Sequence, residues 1–184
     1  ESIRIAGQFS DYKSMATSLH NRASLYIAME RSDEAVSDYE QALEFKQRVV
    51  NYWDERLQHQ DQQPLGPTEV IQMRWDKRSL AITCSGFAQL LASQGSIERA
   101  GRLAVDGARL FEEVGSREEA MEVQMSVVLA SLETSPERAI EEFGIKRGRP
   151  CPSCGQFVIE GTAECPACGQ SLCPECGAAV DKNA

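Results

Sequence analysis

The sequence predicts an all-α chain, a solenoid of helical hairpins, followed by a small cysteine-rich ribbon. Three observations carry this expectation. A helix–turn–helix pattern recurs at 21–45 and 87–111. Apolar residues through 1–144 fall at helical three- and four-residue steps. A CPxCG element occurs three times, at 151–155, 165–169 and 173–177. Composition sets the outer bounds. The 184 residues are 42% hydrophobic and 26% charged, which is ordinary globular chemistry. No apolar run approaches the roughly 18 residues of a membrane span. The net charge of -9 argues against bulk nucleic-acid binding, because phosphates repel an acidic surface.

Charge and cysteine divide the chain. Residues 1–144 carry 15 basic and 24 acidic side chains, whereas 145–184 carry four of each. Cys84 stands apart from the other six cysteines, which lie between 151 and 176. Gly144, Gly148 and Pro150 are helix stops between the two regions. The expected organisation is a helical domain over 1–144, a linker over 145–150 and a ribbon over 151–184. The opening residues, ESIRIAGQFSD, read as the end of a helix, so the chain is expected to be the C-terminal part of a larger protein.

The helical elements follow in order. In the first pattern Ala23, Tyr26, Ala35, Tyr39 and Ala42 occupy the key places; in the second Ala88, Leu91, Ala100, Ala104 and Gly107 do. Small residues let two helices approach closely, and large ones fill the grooves between them. A third, poorer copy is MSVVLASLETSPERAIEEF, with Ala139 in the place of Ala35 and Phe143 in that of Tyr39. These segments resemble the tetratricopeptide repeat (TPR), and residues 1–9 look like the second helix of an earlier repeat. An unrelated helical bundle is the alternative.

The spacing is uneven. Ala35 and Ala100 are 65 residues apart, against a family repeat of about 34. The extra residues continue the helices, with Phe45, Val49, Trp53 and Leu57 on one face. DQQPLGP is a turn, and Thr68 is the expected N-cap of the next helix. The result is an extended helical hairpin over about 46–78, centred on Pro64. Residues equidistant from that turn should meet on its seam, which pairs Trp53 with Trp75 and Leu57 with Ile71.

The resemblance implies a concave face that binds a protein or peptide segment. Its expected lining is Thr17, His20, Ser24 and Ile27 on one helix and Ile82, Ser85, Gln89 and Ser93 on another. The Lys, Arg and Asn set with which some such repeats hold a C-terminal carboxylate is missing there. No nucleophile–base set or phosphate-cradling Gly loop marks the chain as an enzyme. His20 and His59 have no sequence-local partner, and Cys84 falls on an inward stripe. Acidic pairs such as Glu118–Glu119 read as solvated helix faces.

Each CPxCG element is a knuckle whose turn aims two sulfurs at one point, with Gly free to take positive φ. Cys151, Cys154, Cys165 and Cys168 supply the four thiolates of a tetrahedral zinc ion, Zn2+. The ten residues between Cys154 and Cys165 suit a hairpin with Phe157, Val158 and Ile159 in one strand. The segment resembles a zinc ribbon, more specifically a double one. Cys173 and Cys176 then form half of a second site, completed by residues beyond 184 or by another chain, or else a pair without partners. A disulfide framework is the competing account, disfavoured by the triplicated knuckle. With no His or open position, the metal is expected to be structural.

The function expected is a cytoplasmic scaffold for protein–protein interaction, with no membrane partner and with nucleic acid disfavoured. The extended hairpin or the ribbon is a candidate contact to another subunit. A regulatory arm of a multidomain nucleotide-hydrolysing signalling enzyme and a nucleic-acid-binding adaptor are the alternatives.

Overall fold

The structure is a computed structural model that describes residues 2–59, 61, 63–146, 148–155, 157–159, 161–173 and 178–179; for 2–10 and 157 it describes the backbone alone. The helices are α1 (Ser2–Ala28), α2 (Ser32–Gln58), α3 (Pro67–Ser93), α4 (Ile97–Glu113), α5 (Arg117–Thr134) and α6 (Pro136–Glu142). Two short strands follow, β1 (Gly148–Pro150) and β2 (Phe157–Ile159). The chain divides into two compact units, Glu1–Pro136 and Glu137–Ala184.

In the first unit α1 packs on α2, α2 on α3, α3 on α4 and α5, and α4 on α5. This is the TPR-like stacking of hairpins that the sequence pattern predicts. The small residues do what their spacing requires. Ala23, Ala35, Ala42, Ala88, Ala100 and Ala104 are all buried at the helix crossings. At Gly107 a Cβ would stand 3.2 Å from the Cys84 Cβ and 3.3 Å from the Ala81 carbonyl oxygen, so α4 and α3 touch backbone to side chain there. Phe87, Leu80, Ile97 and Val127 fill the space between the crossings.

Three helix ends share one turn. The N–H groups of Arg31, Ser96 and Ser116 donate to the carbonyls of Tyr26, Leu91 and Phe111 at 2.8–2.9 Å. Each turn needs a left-handed residue at its apex, the geometry that closes a helix by satisfying its last carbonyls. Gly95 (φ 77°) and Gly115 (φ 85°) supply it in two of the turns, and Glu30 (φ 58°) in the first.

The long elements depart from expectation in three ways. Residues 2–9 are not the tail of an earlier hairpin: they are the first turns of α1, which runs unbroken to Ala28. No Gly or Pro interrupts 10–28 to end a helix sooner. The extended α2–α3 hairpin exists, with its turn at 59–66, but α1 flanks it. Tyr12 stacks on Phe45 at 5.5 Å between ring centroids, and Lys13 Nζ lies 2.7 Å from Asp76 Oδ2. Thr68 is not the N-cap of α3. Gly66 is, with Pro67 at the first helical position and the Glu69 carboxylate accepting the Gly66 N–H at 2.9 Å.

The two tryptophans do not meet. Trp53 is 6% exposed and Trp75 is 64% exposed. The residue opposite Trp53 is Asp76, whose Oδ2 accepts the indole N–H at 2.8 Å. Equidistance from the turn gave the correct height to within one residue. One residue is also about 100° around a helix, which is enough to turn Trp75 outward. Ile71 is likewise 58% exposed and so lies off the seam.

In the second unit β1 pairs antiparallel with β2, Gly148 opposite Ile159 and Pro150 opposite Phe157. Residues 148–150, expected as linker, are therefore the first strand of the ribbon. A strand of three residues including Gly and Pro carries no alternation by which to recognise it.

Candidate metal centre and interaction groove

The ribbon is built from two knuckles on one hairpin. In the first, the Gly155 N–H donates to the Cys151 carbonyl at 2.8 Å; in the second, the Gly169 N–H donates to the Cys165 carbonyl at 2.9 Å. Both turns close on a left-handed glycine, φ 73° and 71°. They face each other. Cys151 Sγ lies 3.7 Å from Cys168 Sγ, and Cys154 Sγ lies 3.8 Å from Cys165 Sγ. All four sulfurs fall within 4.8 Å of one another, a donor set that could hold a metal ion. Cys151 and Cys165 join Val158 and Leu172 in a small buried cluster.

Two of the four thiols, Cys151 and Cys168, are driven apart in acidity by their surroundings. The backbone N–H groups of Cys154 and Ser153 lower the Cys151 thiol to about 7. Cys168 receives the Gln170 N–H, which lowers it, but Cys154 and the other sulfurs outweigh that and push it up to about 12. The Cys151 thiolate thus forms readily while Cys168 resists, until a cation balances the charge.

The third knuckle repeats part of the second. Cys165 N–H donates to the Gln170 carbonyl, and Glu164 bridges to Ser171; Cys173 N–H donates to the Ala178 carbonyl, and Leu172 bridges to Ala179. The spacing is identical in the two cases. Cys176, expected to act with Cys173, lies outside the described residues.

In the helical unit, a groove of about 330 Å³ lies between α1, α3 and α5, with Tyr39 also lining it. Of the eight expected lining residues it takes in His20, Ser24, Ile82, Ser85 and Gln89. Thr17, Ile27 and Ser93 are exposed but lie outside it. Thr17 and Ser93 turn their hydroxyls back to their own helices, donating to the Lys13 and Leu90 carbonyls. Sequence reasoning missed the third wall, Glu119, Glu122 and Val123 of α5. Glu119 is not simply solvated: it pairs with Arg78 across the helices. The signal was present in Arg78 but needed the α3–α5 register to be read.

Behind the groove a buried lysine joins α2 to α3. Lys46 Nζ donates to Thr83 Oγ1 at 2.6 Å and to the Ser79 carbonyl at 3.0 Å. Thr83 Oγ1 lies 3.2 Å from His20 Nδ1. Burial lowers His20, and the Lys46 charge lowers it further. Cys84 is buried, and its burial pushes the thiol up to about 12, so it is a packed rather than a reactive sulfur.

The family match falls on the first hairpin. Residues 15–61 match the tetratricopeptide-repeat family model. That stretch runs from the middle of α1 through α2 into the following turn. No curated protein and no solved structure matches the chain. Among the described residues no helix is long and apolar enough to cross a membrane.

Proposed function

We propose that this chain is a protein-interaction module whose concave groove takes a segment of a partner protein, and whose cysteine centre holds a structural zinc ion. The observation that carries the first part is the groove itself. It is walled by α1, α3 and α5, the leading helices of successive hairpins, beside a segment that matches the repeat family. Its lining mixes two aliphatic side chains, Ile82 and Val123, with amide, hydroxyl and carboxylate groups, which suits a peptide better than a small apolar ligand. The reading assigns no reaction to the chain, since the Thr83 hydroxyl that His20 faces is fully buried and held by Lys46.

For the metal, the sulfur spacing supports zinc. A tetrahedral site with Zn–S bonds of about 2.3 Å has edges of about 3.8 Å, and the two cross-knuckle pairs stand at 3.7 and 3.8 Å. A disulfide requires sulfurs about 2.05 Å apart, which these are not. Four thiolates with no fourth-position solvent make a closed, structural site, and reduced thiols suit the cytoplasm.

A photo-crosslinker at Gln89, with one at exposed Arg102 as control, tests the groove in cells. The groove reading expects a discrete protein adduct at Gln89 and none at Arg102; equal labelling at both removes it. Metal analysis with X-ray absorption tests the centre, with four sulfur neighbours around zinc expected. A site with nitrogen or oxygen ligands, or one loaded with another metal, would contradict it.

A further inference from the structure

The outward-turned Trp75 is the largest exposed apolar side chain on α3, and Ile71 stands four residues before it. Neither contributes to the seam, which Trp53 and Asp76 occupy. Both continue the stripe of α3 that includes Ile82, Ser85 and Gln89 in the groove: positions 71, 75, 78, 82, 85 and 89 advance by steps of four and three. With Val114 and Ser116 of the α4–α5 turn they border a depression of about 280 Å³. Its charged lining residues are Arg74 and Arg78, and no carboxylate lines it. Arg78 is engaged, donating to Ser116 Oγ and paired with Glu119. Arg74 is exposed and makes no hydrogen bond or ion pair among the described residues.

An indole and an isoleucine exposed side by side, with an unpaired guanidinium at the rim, have the composition of an interface anchor. Trp and Arg are the side chains that most often dominate protein interfaces, and exposed apolar groups of this size are otherwise costly. The charge selects the partner. This is a locally cationic ledge on a chain of net charge -9. A polyanion such as nucleic acid would meet the repulsion of the whole chain, whereas a peptide with acids at one end meets only the ledge with them. We propose that the ledge docks an acidic segment of a partner protein, with an apolar side chain on Trp75 and Ile71 and a carboxylate on Arg74. The proposal rests on the groove reading, because the same segment would run on along α3, its acidic end on the ledge and an uncharged end beside Glu119 and Glu122 of the groove. The 18 residues from Ile71 to Gln89 rise about 27 Å, the span of an extended segment of about eight residues.

Calorimetry on the full chain tests it with three capped octapeptides: one with Asp and Glu around a Leu and a Phe, one with Lys replacing the acids, and one with Gly replacing Leu and Phe. Only the first should bind. Trp75→Ala and Arg74→Glu should each weaken it at least about tenfold, with unchanged helical circular dichroism, while Arg102→Glu leaves it alone. The proposal is overturned if the lysine or glycine peptide binds as well, if no peptide binds, or if both variants titrate like the parent chain. It is also overturned if sedimentation shows a self-association that Trp75→Ala abolishes, since a second copy would then be the occupant. A partner still crosslinked through Gln89 at unchanged affinity in Trp75→Ala would remove this inference and leave the groove reading standing. Peptide binding at Trp75 with no adduct at Gln89 would do the reverse.

Discussion

Glu30 holds a conformation that its counterparts leave to glycine. Its φ of 58° lies in the left-handed region, where an L side chain is strained and Gly is not. Glu30→Gly is therefore expected to stabilise the first unit by about 0.5–1 kcal/mol, and Gly95→Ala to destabilise it by about 1 kcal/mol; urea titrations of both variants check the pair. Lys46 poses a different cost. It is 8% exposed, bonded to a hydroxyl and a carbonyl, with no carboxylate partner among the described residues. Burial lowers it from 10.5 to about 8. Below pH 8 the folded protein carries a buried ammonium and the cost is complete. As pH climbs from 8 to 10.5 the folded chain sheds the Lys46 proton that the unfolded chain keeps, so Lys46 contributes a rise in stability across that window, which the raised Cys84 thiol opposes above pH 9. The rise, of a few kcal/mol at most, should be missing in Lys46→Met. Parallel pH profiles for the two proteins would refute the account.

At the scale of elements, three long helices are tied together at one carboxylate. Asp76 accepts from Trp53 of α2 and from Gln72 one turn earlier on its own helix, and pairs with Lys13 of α1. Asp76→Ala strands a buried indole N–H and leaves the Lys13 charge without its partner, at an expected cost of about 2–3 kcal/mol. Trp75→Ala, one residue earlier, should change stability by less than about 0.5 kcal/mol because it removes an exposed ring; chemical denaturation compares the two. That contrast also marks what was legible in the sequence. The hairpin, its turn and the burial of Trp53 followed from period and Pro64. The facing partner did not, because a polar Asp in the seam is chosen by the indole N–H and Lys13, which only tertiary register brings together. The knuckles were legible because their chemistry is local, four sulfurs fixed by two short turns. Strand β1 was not, because its pairing with β2 is what makes it a strand.

At the scale of the whole molecule, the two units rest on different physics. The first is held by apolar burial along its helix crossings; in the second, the buried cluster among the described residues is two cysteines, Val158 and Leu172, the kind of core that a metal must support. Chelation, or Cys154→Ser, should therefore abolish protection of 148–173 from hydrogen exchange and leave the thermal transition of the helical unit in place. A single shared transition that moves with the metal would contradict this. The chain has two tryptophans, and their environments give it a built-in pair of optical probes. The Trp53 indole, enclosed and hydrogen-bonded to a carboxylate, should emit towards the blue and resist acrylamide. The Trp75 indole stands in water and should emit towards the red and quench freely. In Trp75→Phe the emission that remains reports the packing of the three long helices alone, so one spectrum separates loss of the fold from occupation of its surface.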